Sequence, residues 1–342
     1  MRTALATLSV LVITLGLTSC CCIEDFDIDM EGFKSEFDRT YSLASGGKVE
    51  VQNVDGFVHV ESWDRDEVLV KGTLRVRAKN EEEALKRMKE IKVVVTQEDD
   101  YLSIQIKRKD KRPKVVWFGC GSWRVDLDLT VPRRCNLSLS TVDGAVRVSE
   151  IEGSVSTSTV DGSIRVEGVR GDVRAHSVDG SCTVIAVEGD VDAGTTDGTV
   201  EVLEVRGDVS CKSVDGSCTL SDVMGSVKAN SVDGRIRIEG VLSGLSASAV
   251  SGSIGVAALD GSSVTDSWKI TTVDGSVTLK LPETISADIK ASTIDGRVSL
   301  GVPAEFQLKS KRSVVATLGK GGGTISISTT DGSIRVGYLE AE

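Results

Sequence analysis

An Asp-Gly step returns every 18 residues through the middle of this chain, at Asp143, Asp161, Asp179, Asp197, Asp215 and Asp233, and Ser251-Gly252 continues the series. A second glycine sits midway, at Gly153, Gly171, Gly189, Gly207 and Gly225. Each period is therefore a doubled nonapeptide of the form Gly-x-Val-x-Val-x-x-Val-Asp, with three apolar positions. A unit this small cannot bury an apolar face alone, so it must stack on its neighbours.

Aligned on the period, the apolar residues form columns. One reads Val146, Ile164, Cys182, Val200, Cys218, Ile236, Ile254; the next reads Val148, Val166, Val184, Val202, Leu220, Ile238, Val256. A third holds Ile151, Val169, Val187, Val205, Val223, Val241 and Leu259. The other half-coil stacks Val155, Val173, Val191, Val209, Val227 and Leu245 beside Ala175, Ala193, Cys211, Ala229 and Ala247. Period-2 alternation within each half points these residues inward. Outside, Glu152, Arg170, Glu188 and Arg206 alternate in sign from coil to coil, as do Arg174 and Asp192, which favours stacking by roughly 0.2–1 kcal/mol a pair. The expected fold is all-β: a single-stranded parallel β-helix, or β-solenoid, with 18-residue coils of two nonapeptides each. Apolar residues make up 40% of the chain but aromatics only 4%, which suits thin layers of valine.

The solenoid is expected over 135–337, followed by a short tail, 338–342. Its phase slips near Ser262, Pro282 and Pro303 and recovers at Trp268-Ile270-Val273, Ile289-Ala291-Ile294 and Ile325-Ile327. An earlier coil starts at Gly47, with Val49, Val51 and Val54 in the apolar positions before Asp55-Gly56, so residues 45–134 read as a first coil carrying a β-rich insertion. Within it, Val68-Leu69-Val70, Leu74-Arg75-Val76, Lys92 to Thr96, Leu102 to Ile106 and Arg124 to Val131 read as strands, and Asn80 caps a helix over 80–91. Residues 20–44 are acidic and lack a clear period, and read as a tether.

Residues 1–19 read as a lipoprotein signal peptide. Arg2 precedes an apolar run from Ala4 to Leu17, too short to span a bilayer, which ends in Leu17-Thr18-Ser19-Cys20. That ending resembles a lipobox, which makes Cys20 the lipidated residue and the membrane a partner through the lipid. Cys21 rather than Asp follows it, which points to the outer membrane if the envelope has two. The net charge of −11 excludes nucleic acid as a partner and argues against loose attraction to anionic membranes. Cys182 and Cys218 share a column two coils apart, roughly 9.5 Å at strand spacing, too far for a disulfide; they read as small buried hydrophobes.

The aspartate column is the sharpest chemical candidate. Asp143, Asp161, Asp179, Asp197, Asp215 and Asp233 would stand about 4.8 Å apart, where like charges repel and a hard cation such as calcium would relieve them. Calcium-binding β-rolls also use doubled nonapeptides, but with a Gly-Gly-x-Gly-x-Asp motif that this chain lacks. The competing account is structural: aspartates bond turn N–H groups while glycine supplies positive φ. Arg170-Gly171-Asp172 and Arg206-Gly207-Asp208 spell a tripeptide that integrins read, but both fall on the mid-coil turn. The segment Trp117 to Trp123 either caps the open end of the solenoid or contacts a partner, and Lys107, Arg108, Lys109, Lys111, Arg112 and Lys114 before it form a cationic patch. His59 and His176 are the only histidines, at an outward position and beside a turn, with no nucleophile motif near either.

Gly47 through Val60, the segment Leu127-Asp128-Leu129-Thr130-Val131-Pro132 leading into Leu137-Ser138-Leu139-Ser140, and the Val-Asp-Gly turns after it resemble the putative-adhesin family of bacterial extracytoplasmic proteins. The resemblance covers most of residues 45–337 and implies a β-helix with a surface role and no catalytic residues to carry over. The expected function is a lipid-anchored cell-envelope module for binding, adhesion or scaffolding, with no enzyme activity and no cofactor. Its ligand is an unidentified envelope glycan or protein, met by a rigid face of Ser, Thr and charged ladders and by loops near Ser262 and Lys309 to Gly323. Two alternatives stay open: a β-roll-like module stabilised by divalent cations, and a carbohydrate-active β-helix enzyme acting on envelope glycans.

Overall fold

A computed structural model describes residues 19–23, 27–29, 33–109, 123–265 and 267–339. Its elements are strands apart from one helix, Glu81–Met88, among the described residues. Each winding contributes one strand to each of two walls, and through the middle of the stack each strand pairs in parallel with its counterpart 18 residues on. Val155–Asp161 pairs with Val173–Asp179, which pairs with Val191–Asp197; in the other wall Ile164–Arg170 pairs with Cys182–Glu188 and then Val200–Arg206. The register is straight, with Val155 on Val173 on Val191 and Asp161 on Asp179 on Asp197. Valine faces valine between the walls, and Val146, Val166, Val173, Val184, Val200 and Val205 are all buried. Burial of each such side chain stabilises by roughly 1.5–3 kcal/mol, so a narrow interior suffices when repeated along the stack.

The two halves of a coil differ in how they use the third apolar position. In the wall of Val146–Glu152, Glu150 takes a left-handed conformation (φ 58°), which resets the alternation and turns Ile151 inward. Gly168, Ala186, Glu204 and Asp222 repeat this step in the following coils. The opposite wall has no such step, so alternation carries Thr159 inward and leaves Val160 43% exposed. The third valine of that nonapeptide therefore lies outside, contrary to a uniform inward set of three. Val54, Val142, Val178, Val214, Val232, Val250, Val273 and Ile294 are exposed for the same reason.

The third column also ends earlier than the periodicity suggests. The strand Ile236–Ser251 lacks one residue relative to its neighbour, so Val223 pairs with Gly240, and Leu242 turns inward instead of Val241. A Cβ on Gly240 would collide with the Val223 backbone, and this contact replaces the left-handed corner. In the next coil Ala258 is buried in place of Leu259. The phase thus slips at Gly240, and the loop at Ser262 accommodates it: Leu242 N–H donates to Ser262 Oγ at 2.9 Å.

Winding order departs from chain order at both ends. Tyr101–Arg108 pairs in parallel with Lys48–Gln52, and Trp123–Pro132 pairs in parallel with Val58–Trp63, so the insertion itself builds the first winding. At the other end Thr324–Asp331 lies between Trp268–Thr271 and Ala287–Asp295, and Ile334–Tyr338 lies between Val277–Leu281 and Val298–Leu300. The last segment of the chain is thus the penultimate winding. Antiparallel strands close both ends and stop further parallel stacking. Ile91–Gln97 and Glu67–Val76 cover the first winding, and Ser313–Leu318, flanked by Glu305–Lys309, covers the last.

Lys34–Ser42, part of the expected tether, is instead a strand antiparallel to Glu67–Val76, with Phe37 buried against the core. Its alternation is short, and only the pairing partner makes it legible. The helix begins as expected, with Asn80 Oδ1 accepting the Glu83 N–H at 2.9 Å, but it ends at Met88, and Ile91 opens the following strand. Residues 1–18 and Trp117 to Ser122 lie outside the described residues. Trp123 starts the strand Trp123–Pro132 and packs, half-buried, against the core.

Candidate functional surfaces

The Asp-Gly corner is built by backbone approach and by an inward hydroxyl. Thr159, Ser177, Thr195, Ser213 and Ser231 sit buried two residues before each aspartate and bond the glycine carbonyl of the winding before. Thr195 Oγ1 donates to the Gly180 carbonyl at 2.9 Å, and Thr293 Oγ1 does so to the Gly332 carbonyl at 2.9 Å. Gly180 and Gly198 have φ of 148° and 150°, and a Cβ on Gly198 would overlap the Gly180 carbonyl. Glycine is required there on both counts.

The corner aspartates stack as expected. Asp55, Asp143 and Asp161 are bridged in sequence, Asp161 through Asp233 continue in register, and Asp274, Asp331 and Asp295 extend the row past Ser251. Loss of hydration and the Asp143 charge raise the Asp55 carboxyl above its ordinary value; loss of hydration and Asp161 do the same to Asp143. Asp179 is raised by loss of hydration and by Asp161 and Asp197 on either side. Among the described residues no group of three or more His, Cys, Asp or Glu is arranged to hold a metal ion. At this corner the glycine N–H bonds a backbone carbonyl, as Gly180 N–H does to the Asp197 carbonyl at 2.9 Å, whereas at the mid-coil turn aspartate side chains accept: Asp172 Oδ1 from Asp190 N–H at 3.1 Å, Asp190 from Asp208 N–H at 2.9 Å, and Asp208 from Ser226 N–H at 2.8 Å.

Those mid-coil bonds also commit both Arg-Gly-Asp tripeptides. Arg170 pairs with Glu152 at 3.2 Å and Glu188 at 3.5 Å, and Arg206 stands 3.9 Å from Glu188. Beside this charge ladder the small residues Gly168 and Ala186 leave a notch between Glu150, Arg170 and Glu188. Its charges are already paired. Arg174 and Asp192 are register partners, but Asp192 stands 3.5 Å from His176 instead, while His59 lies 3.3 Å from Asp128 and 3.4 Å from Glu61. The two histidines lie on different walls.

The cysteines pair differently from the column reading. Cys211 and Cys218 form a disulfide across the Asp215-Gly216 corner, with Cα atoms 6.6 Å apart. Column alignment compared Cys218 with Cys182 along the stack, whereas its partner lies across the interior of the same coil. Cys182 and Cys135 are free and buried, and burial pushes their thiols up to about 11 and about 12. Cys20 lies in Ser19–Ile23, antiparallel to Ile91–Gln97 and paired with Thr96. No helix among the described residues is long and apolar enough to cross a membrane.

The family model described as Toastrack DUF4097 matches residues 49–337, a range that contains every winding of the stack. The chain belongs to the Toastrack DUF4097 family. Solved structures similar to this Toastrack protein include a putative cell adhesion protein from Clostridium sporogenes, at 10% identity, covering 89% of this chain and 100% of that one, with a TM-score of 0.23. A putative adhesin from Bacteroides fragilis is 11% identical over 88% of this chain and 96% of its own, with a TM-score of 0.38. A putative lipid binding protein from Parabacteroides distasonis is 11% identical over 89% and 97%, with a TM-score of 0.37. No curated protein matches the chain.

Proposed function

We propose that this Toastrack protein is a non-enzymatic binding and scaffolding module of the bacterial cell envelope, held to a membrane by a lipid on Cys20. The carrying observation is the in-register stacking of outward side chains. Each wall presents rows that repeat at strand spacing, such as Glu152, Arg170, Glu188 and Arg206. Catalysis needs one special constellation, whereas rows of equivalent positions suit an extended ligand met at many points. The Cys211–Cys218 disulfide supports an oxidising compartment outside the cytoplasm.

Two measurements test this reading. The full-length protein, immobilised and exposed to envelope extracts, should retain a ligand and release it unchanged in length; shortened products would make it an enzyme. Palmitate labelling in cells should mark the wild type and not Cys20→Ser, and equal labelling of both would overturn the anchor.

A further inference from the structure

The wall containing Val155–Asp161 changes character along its length. At its centre Asp192 and His176 face outward 3.5 Å apart. Beyond Asp192 the outward positions of the strands carry lysine and hydroxyl groups. One row reads, in spatial order, Lys228, Ser246, Lys269, Ser326, Lys290. The adjacent row begins at Lys212 and continues through Asn230, Ser248, Thr271 and Ser328. Lys212, Lys228, Lys269 and Lys290 are exposed, and among the described residues none of them pairs with a carboxylate. The bordering acid, Asp288, accepts the Thr317 hydroxyl at 2.7 Å.

Two further rows complete the face. Val232, Val250, Val273 and Ile294, with Thr330 between the last two, form a mostly aliphatic row beside the hydroxyls, and Asp233, Asp274, Asp331 and Asp295 stand at the edge beyond it. The cations of the first row recur every second winding, about 9.6 Å apart. In a chain of net charge −11, this is a local cationic strip with a defined polarity across the wall.

We propose that this face binds a linear polysaccharide carrying one uronate carboxylate per disaccharide. The two-winding spacing of Lys228, Lys269 and Lys290 presents one cation to each repeat of such a polymer. The serine and threonine row hydrogen-bonds ring hydroxyls, and the aliphatic row receives the C–H faces of the sugars. The aspartate edge repels carboxylates and so fixes which side of the polymer faces the lysines. The assignment rests on the binding-module reading and gives it a ligand class and a site.

The test is titration of the full-length protein with a hyaluronan oligosaccharide, which carries one glucuronate per disaccharide, and with its neutral methyl ester. The wild type should bind the acid and not the ester, more weakly as salt rises. Lys228→Glu, Lys269→Glu and Lys290→Glu together should weaken binding by about tenfold or more, while Lys71→Glu, Lys79→Glu and Lys89→Glu together should leave it unchanged. If the charge reversals lower the thermal midpoint, glutamine replacements at the same three lysines serve instead. Absence of hyaluronan-oligosaccharide binding, an equal loss in both sets, or lysine-dependent binding to phosphatidylglycerol vesicles without binding of the oligosaccharide would overturn the assignment. If envelope material were still retained intact in those cases, the binding-module reading would survive; a shortened hyaluronan oligosaccharide would overturn both.

Discussion

Thr195 Oγ1 donates to the carbonyl of Gly180, 2.9 Å away in the preceding winding, and it reaches the Val178 carbonyl at 3.2 Å as well. One buried hydroxyl thus ties two windings together where their backbones approach most closely. Thr195→Val keeps the shape and removes both bonds, leaving the carbonyls without that donor. Its expected cost is about 1–2 kcal/mol, read as a lower thermal midpoint. A midpoint equal to wild type would show that the hydroxyl row is incidental.

Gly198→Ala tests the same corner from the backbone side. The residue has φ 150°, and its new Cβ would meet a carbonyl that cannot move without shifting the preceding winding. The loss should exceed about 2 kcal/mol. Denaturant titration would show it as a lower midpoint, and a neutral effect would mean the windings are further apart than described.

Reduction of the Cys211–Cys218 disulfide, or replacement of both residues by alanine, should cost about 2 kcal/mol for a loop closed over a sequence separation of 7. Mass spectrometry of the alkylated, unreduced protein should show two protected cysteines at these positions and free thiols at Cys135 and Cys182 after denaturation. Alkylation of Cys211 without reduction would contradict the pairing.

The aspartate row predicts a pH dependence. Asp143 and Asp179 are raised above the ordinary carboxyl value, so the folded state binds protons that the unfolded state releases. Their favourable contribution is complete below the unfolded value near 3.8, and it is lost as pH rises through the raised folded values. Replacing both with asparagine should therefore raise the thermal midpoint most at neutral pH, with the advantage shrinking on acidification. Glu50 and Glu152, lowered by Tyr101 and Arg134 respectively, work in the opposite direction in both proteins and cancel in the comparison. If the row is a corner device, chelator leaves the wild-type midpoint unchanged; a drop on chelation would favour a bound divalent cation.

Much of the architecture is legible before any coordinates, because Val148, Val166 and Val184 repeat at one spacing and only stacking buries them. What local pattern hides is whatever depends on pairing across distance. Val160 looks like Val169 in sequence, and only the left-handed residue at Gly168 decides that Val169 turns inward while Val160 does not. The strand Thr324–Asp331 looks like a final winding, yet it inserts between two earlier ones, which periodicity along the chain cannot reveal. Cys211 and Cys218 belong to different columns, so alignment by column separates residues that meet across the coil. The lysine face was equally hidden, since Lys269, Ser326 and Lys290 become neighbours only through that insertion.

Spin-label distances along one outward row test the stacking most directly. With one label at Ser156, partners at Arg174, Asp192, Ser210, Lys228 and Ser246 should recede in equal steps of about 4.8 Å, and Ser326 should lie one step nearer to Ser156 than Lys290 does. Distances that fail to grow by a constant step, or a Lys290 label nearer than a Ser326 label, would contradict the in-register solenoid and its inserted winding.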